Sequence, residues 1–171
     1  MRHPSLKAVL YSIALIIIVA VGGCGVYTPY GAQTSGANTF SVDYFKPQTP
    51  QASPTVALRF TEDLKDVIQR QSTLRLVDSE GELQFSGAIT DYRIAPVSVQ
   101  GNETASRNRL TVTVQVRYTN TLEKELSFDR AFSKFADYDS SQDLLVVEDD
   151  LMSQINEQLL QEIFNASLGN W

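Results

Sequence analysis

Apolar and polar residues alternate most cleanly between Leu110 and Thr119. Leu110, Val112, Val114, Val116 and Tyr118 fall on one side, and Thr111, Thr113, Gln115, Arg117 and Thr119 on the other. A sustained period of two predicts a strand with one buried face and one face that is wet or covered by something polar. The same period predicts a first strand over residues 39–45, with Phe40, Val42 and Tyr44 on one face. Leu83, Phe85, Gly87 and Ile89 alternate within 83–95. The short apolar run 74–77 precedes them across Asp78-Ser79-Glu80-Gly81, so the two runs predict a hairpin. Pro96 weakens the second of these strands near its end, with Val97 and Val99 extending it past a bulge. Leu126, Phe128 and Phe132 open a further strand. Phe135 and Tyr138 are read as leaving that face, which predicts a bulge or strand end near Ser133.

Two segments carry the helical period instead. Val56, Phe60, Leu64, Val67 and Ile68 recur at spacings of three and four, with Pro54 at the entry, where a missing N–H costs least. Leu144, Val147, Leu151, Ile155, Leu159, Ile163 and Phe164 make a second, longer stripe that Gly169 stops. Ser140 and Ser141 are its candidate N-caps, and Asp143, Glu148, Asp149 and Asp150 suit the positive end of its dipole. Between the first strand and the first helix, Pro47, Pro50 and Pro54 predict a loop over 46–54. The element order is then β-α-β-β-β-β-α. The economical arrangement is α+β: a two-layer sandwich with two helices packed on one face of a mainly antiparallel sheet.

The N-terminus changes this picture. Arg2, His3 and Lys7 precede an apolar run from Ala8 to Val21, and Gly22 and Gly23 lead to Cys24, the only cysteine. A charged start, a short apolar core and small residues at the cut describe an export signal. The run is shorter than the roughly 18–25 residues of a spanning helix. Val21-Gly22-Gly23-Cys24 resembles a bacterial lipobox, which implies cleavage of residues 1–23 and acylation of Cys24. Residues 24–38, rich in small and polar side chains, then form a tether, and 39–171 a single domain.

Cleavage leaves 148 of the 171 residues. It removes Arg2 and Lys7, so 12 basic residues face 20 acidic ones, a net charge of −8. An acidic chain without a basic block is a poor match for nucleic acid. The mature chain has no histidine, and its one thiol carries lipid. That removes Ser-His-Asp and Cys-His catalysis and histidine metal sites, so no metal, cofactor or catalytic residue is assigned. Paired carboxylates remain open for hydrolysis, with Glu148-Asp149-Asp150 the densest group, although helix-start charge explains it as well. Basic residues cluster more than the acidic total suggests. Arg107 and Arg109 flank the tip of a polar loop, 101–109, and Arg117 follows on the polar face of the same strand. Arg130 and Lys134 lie on the next strand.

Several segments together carry a family resemblance: Cys24-Gly25-Val26-Tyr27, Gln84–Asn120, Phe135–Gln142, Glu148–Asn165 and the terminal Asn170-Trp171. Their order resembles the LptE family of lipopolysaccharide-assembly lipoproteins, of the type found in Bacteroidetes-like bacteria. The resemblance implies a non-enzymatic lipoprotein on the periplasmic face of the outer membrane. It would plug an LptD-type β-barrel, assist the barrel's assembly and help deliver lipopolysaccharide to the outer leaflet. Family contacts to lipopolysaccharide are basic, which makes Arg107, Arg109, Arg117, Arg130 and Lys134 the candidates here. A lipid-anchored periplasmic binding or inhibitor module, without a barrel, is the alternative that the anchor and sandwich also allow.

Overall fold

The structure, a computed structural model, describes residue 32, residues 34–97 and residues 106–169. The expectations for the leader, Cys24, Val99 and residues 101–105 fall outside these. Six strands form one sheet: β1 (Thr39–Val42), β2 (Lys46–Pro47), β3 (Arg75–Leu76), β4 (Leu83–Val97), β5 (Arg107–Asn120) and β6 (Phe128–Asp139). Helices α1 (Pro54–Gln71) and α2 (Leu144–Leu168) accompany them. The strand order is β3-β1-β4-β5-β6, with β2 paired to β4. β4, β5 and β6 are antiparallel, while β1 runs parallel to both β3 and β4. This is the expected α+β class, with two helices over a mainly antiparallel sheet and one short strand more than the pattern shows.

Strand β5 organises the core. Leu110, Val112, Val114, Val116 and Tyr118 are all buried. They face Ile94, Tyr92, Ile89, Gly87 and Phe85 of β4, respectively. The match survives only because the register shifts between Ile89 and Asp91. That one extra residue, Thr90, moves the core face from odd positions to even ones and puts Tyr92 in the core. The expected bulge near Pro96 is therefore at Thr90, and β4 runs on through Pro96 to Val97.

Other expectations are corrected as well. Residues 74–77 and 83–95 do not form a hairpin, because β1 lies between β3 and β4. Helix α1 supplies the crossover that a parallel β1–β3 pair requires. The chain then crosses β1 closely. Gly81 donates its N–H to Ser41 Oγ at 3.2 Å, and a Cβ on it would fall 2.5 Å from the Phe40 carbonyl carbon. The 46–54 segment is not all loop. Lys46 and Pro47 pair with Ala88 and Ile89, and Gln48 N–H donates to the Ile89 carbonyl at 2.8 Å. Proline is tolerated there because β2 is a sheet edge. The first strand ends at Val42, so Phe45 rather than Tyr44 enters the core. Its ring meets Phe60 of α1 edge-on, with centroids 5.2 Å apart. Gly87 leaves the room for it.

β6 has no break near Ser133. Its register with β5 is continuous from Phe128 to Asp139. Tyr138 shares the buried face with Phe132 and Ala136, and only Phe135 points the other way. Leu126 belongs to a 3-10 turn, Lys124–Leu126, before the strand. The N-cap of α2 is Asp143, whose carboxylate accepts from Leu145 N–H at 3.1 Å. Ser141 instead closes the preceding turn onto Asp139. Ser53 caps α1 by accepting from Val56 N–H at 3.2 Å. The domain is also ordered slightly before residue 39: Ala37 is already buried.

The helices share the core side of the sheet, α1 over β1, β2 and β3 and α2 over β6 and β5, and one cluster of buried side chains joins them to it. Each fully buried large apolar side chain there contributes roughly 1.5–3 kcal/mol. Ile155 is fully buried in this layer, and the neighbouring Gln154 is exposed. Ile155→Asp should therefore cost about 3–5 kcal/mol by burying an unpaired charge, while Gln154→Asp should change stability by less than about 0.5 kcal/mol. Denaturant unfolding of the two variants checks this, and equal midpoints would show the helix face to be misassigned.

Candidate functional site

The side of the sheet opposite the helices is polar. Strand β5 presents Arg107, Arg109, Thr111, Thr113, Gln115, Arg117 and Thr119 there, and β6 presents Asp129, Ala131, Ser133, Phe135, Asp137 and Asp139. Hydroxyl contacts tie the middle together, with Thr113 Oγ1 and Ser133 Oγ 2.9 Å apart. The antiparallel register sets each β5 arginine opposite a β6 aspartate: Arg107 by Asp139, Arg109 by Asp137 and Arg117 by Asp129.

Two of these pairs are geometrically close. Arg109 makes a bidentate contact, with Nε and Nη2 donating to the two Asp137 oxygens at 2.7 and 2.9 Å. Its guanidinium also stacks on the Phe135 ring at 3.6 Å. Arg117 Nε donates to Asp129 Oδ2 at 2.9 Å, and Gln115 Nε2 donates to Asp129 Oδ1 at 2.6 Å. Gln115 and Arg117 hold the Asp129 carboxyl below its ordinary value. Arg109 does the same for Asp137, and Ser141, with a smaller part from Arg107, for Asp139. The Arg109 guanidinium is shifted upward by Asp137.

The five sequence candidates thus do not form one patch. Arg107, Arg109 and Arg117 share the bare face, but Arg109 and Arg117 are held by Asp137 and Asp129, so the three do not make a free basic surface. Arg107 and Arg109 belong to β5 and not to a loop tip. Arg130 and Lys134 have the opposite parity and lie on the helix side of edge strand β6. Arg130 sits over the Phe128 and Phe132 rings at 5.0 and 4.6 Å, and Lys134 Nζ is 2.8 Å from Glu162 of α2. Charged side chains pointing inward on an edge strand also discourage pairing with another chain. Cys24 lies outside the described residues.

Sequence reasoning did not set these three aspartates against the arginines. Their signal was present in the turn, because β5 and β6 run symmetrically about Glu123, and that symmetry alone sets each arginine opposite its aspartate. It also missed a cavity of about 630 Å³ on the same face, where Asp43, Tyr44 and Lys46 meet Gln115, Arg117 and Asp129. A second cavity of about 780 Å³ lies where α2 begins, lined by Tyr92, Arg93, Ile94, Leu144, Leu145 and Glu148. In it the Tyr92 hydroxyl donates to Glu148, and burial together with that carboxylate pushes the phenol well above its usual range. Glu148-Asp149-Asp150 does not act as one group: Glu148 accepts from Tyr92, and Asp149 is 3.4 Å from Arg59 of α1.

The family model for LptE, lipopolysaccharide-assembly, matches residues 37–167, and the chain belongs to that family. No curated protein matches the sequence. The fold is similar to the solution structure of an uncharacterized lipoprotein B from Nitrosomonas europaea. That match has 15% identity and a TM-score of 0.50, and it covers 77% of this chain and 84% of that one. It is also similar to a hypothetical protein from Chlamydia trachomatis, at 9% identity and a TM-score of 0.53, over 78% and 99% of the two chains. At these identities the likeness shows the fold. The family places the chain in lipopolysaccharide assembly.

The carboxylates of the bare face set an acid limit on stability. Glu82 belongs with them, because the N–H groups of Asn38 and Thr39 hold its carboxyl low. All four groups are depressed in the folded state. Their contribution is complete above the unfolded values, 3.8 for Asp and 4.5 for Glu, and is lost as pH falls through the folded values. The melting temperature should hold from pH 7 to about 5 and then drop. Asp137→Asn should melt lower at pH 7 and lose less on acidification. A variant with the full acid dependence of wild type would contradict the Arg109–Asp137 assignment.

Proposed function

We propose that this protein is a lipid-anchored lipoprotein of the outer membrane, acylated at Cys24 and facing the periplasm. It plugs an LptD-type β-barrel, assists assembly of that barrel and helps deliver lipopolysaccharide to the outer leaflet. Membership of the lipopolysaccharide-assembly family supports the process. The observation that carries the plug reading is the bare sheet face. One side of the sheet is sealed by two helices. The other presents hydroxyls, amides and mutually neutralised charges, a surface suited to a water-filled lumen and poorly suited to lipid.

Lipopolysaccharide brings phosphate groups, and arginine forks suit them. Arg107, Arg109, Arg117, Arg130 and Lys134 remain the candidate contacts, now in two groups on opposite faces. Arg109 and Arg117 would have to exchange an aspartate for a phosphate. Among the described residues Arg107 and Arg130 make no ion pair within 4.0 Å, so their donors are the least committed. Among the described residues, too, no helix is long and apolar enough to cross a membrane.

Mild-detergent purification from the native membrane tests the reading. The expected result is a large outer-membrane β-barrel in near-equal amount, together with a mature chain whose intact mass starts at Cys24 and includes acyl groups. An acylated chain that purifies without any barrel would contradict the plug and favour the anchored binding or inhibitor module.

A further inference from the structure

Strand β6 ends the sheet on one side, and its outer edge is open. Ser140 N–H donates to the Ser106 carbonyl at 3.0 Å, in the same register that sets Asp139 by Arg107. Backbone bonding alternates along an antiparallel pair. The even-numbered residues of β6 therefore bond to β5. Asp129, Ala131, Ser133, Phe135, Asp137 and Asp139 turn their N–H and C=O groups outward. Of these outward groups, only the Asp139 carbonyl has a partner among the described residues, the N–H of Gln142 at 3.0 Å. Edges are commonly shortened, kinked by proline or a bulge, or charged against pairing. β2 and β3 have two residues each, and β2 contains Pro47. β6 has 12 residues, no proline and an unbroken register, so of these devices it carries only charge, at Arg130 and Lys134.

That charge is selective. Lys134 is already matched by Glu162, and Asp129 and Asp137 are matched by Arg117 and Arg109. Arg130 is exposed and lies over the Phe128 and Phe132 rings, with no ion pair within 4.0 Å among the described residues. From Asp129 to Asp137 it is the charge left without a counterpart. On the other face Phe135 is 48% exposed, with Arg109 against its ring. A second copy of the chain fits this edge poorly. α2 packs over β6 more than over β5. Adjacent strands stand about 4.8 Å apart, while packed helices need roughly 8–10 Å between axes. Two α2 helices over paired β6 strands would overlap.

We infer that the open edge of β6 docks an antiparallel extended segment of a partner protein, with a carboxylate opposite Arg130 and an apolar side chain opposite Phe135. Main-chain bonds give such strand addition its affinity, and the alternating side chains give it selectivity. An antiparallel ladder is also slightly the more stable per residue. Arg130 and Phe135 have opposite parity, so the carboxylate and the apolar side chain fall on opposite faces of the added strand. The helix overlap that disfavours a second copy also requires that strand to carry no helix on the α2 side. The inference does not rest on the barrel plug.

A fluorescein-labelled nine-residue peptide tests it. Threonine and valine alternate in it, except for isoleucine at its third position and glutamate at its eighth. Laid antiparallel to residues 137–129, these two meet Phe135 and Arg130. Fluorescence anisotropy with the full-length chain in mild detergent should show saturable binding. N-methylation at the fifth and seventh positions, whose N–H groups face Ser133 and Ala131, should abolish it. Methylation at the fourth and sixth positions, whose N–H groups point away, should leave it. Ala131→Pro should abolish binding without a marked drop in melting temperature, because that N–H makes no bond to β5. If the variant does melt lower, the methylated peptides decide on the unaltered chain. Arg130→Glu should weaken binding of the glutamate peptide by about tenfold and reverse the preference in favour of a lysine at the eighth position. No saturable binding to the unaltered chain would overturn the inference, as would equal effects of the two methylation patterns or a charge preference that Arg130→Glu does not reverse. A dimer of the unaltered chain that Ala131→Pro dissociates would also overturn it, by giving the edge to a second copy.

Discussion

Everything in this domain depends on the two-sidedness of β5. A strand with a period of two offers one face to each side of the sheet, and a slip of one residue would exchange them. The even positions from Leu110 to Tyr118 are buried without exception, and both helices pack toward them. The neighbours of β5 are fitted to that face. β4 takes its bulge at Thr90 so that Ile89 and Tyr92 both reach the core, and β6 holds Phe132, Ala136 and Tyr138 in line. The odd positions are what remains, and they form the bare face that the functional reading uses.

The bare face would carry three arginines on one strand if β5 stood alone. The hairpin prevents this by bringing up a strand whose aspartates fall at the matching positions. Cross-strand pairs of opposite charge favour the correct register, and a shift would set those charges against hydroxyls or against one another. The face is thus polar without being strongly charged, in a chain that is acidic overall. A plug in a wet channel needs a surface of this kind, wettable and without a large single-sign field. It also means that anionic ligands would compete with Asp129 and Asp137 for the arginines.

Much of this was legible in the residue pattern, for physical reasons. Long amphipathic segments state their own faces, so β5 was read with its five buried residues and α1 and α2 with the right faces. Val56, Val67, Leu144 and Val147 are nevertheless only partly buried, and Ala57, Thr61, Met152 and Leu160 are buried beside them. The α+β class was legible too. Short segments do not state their partners. Arg75–Leu76 fits beside any strand with a free edge, and only the β1–α1–β3 crossover decided for β1. Pro47 reads as a strand breaker, but a proline on an edge loses no ladder bond. The parity of β4 could not be read through Thr90, because a bulge leaves no residue-type signature there. The basic candidates were the least legible, since residue counts show charge and not its partners. The pairing of arginine with aspartate is a property of the β5–β6 register, which the symmetry about Glu123 contained.

A double-mutant cycle on Arg109 and Asp137 is the most direct measurement of this account, because it reads the two-faced hairpin and the compensated face at once. Melting temperatures of Arg109→Gln, Asp137→Asn and the double variant are compared at low salt, where exposed charges interact most. The account predicts that each single change lowers stability and that the double variant loses clearly less than the two losses combined. Strict additivity would contradict it: Arg109 would then be free, and the bare face would be a basic surface after all.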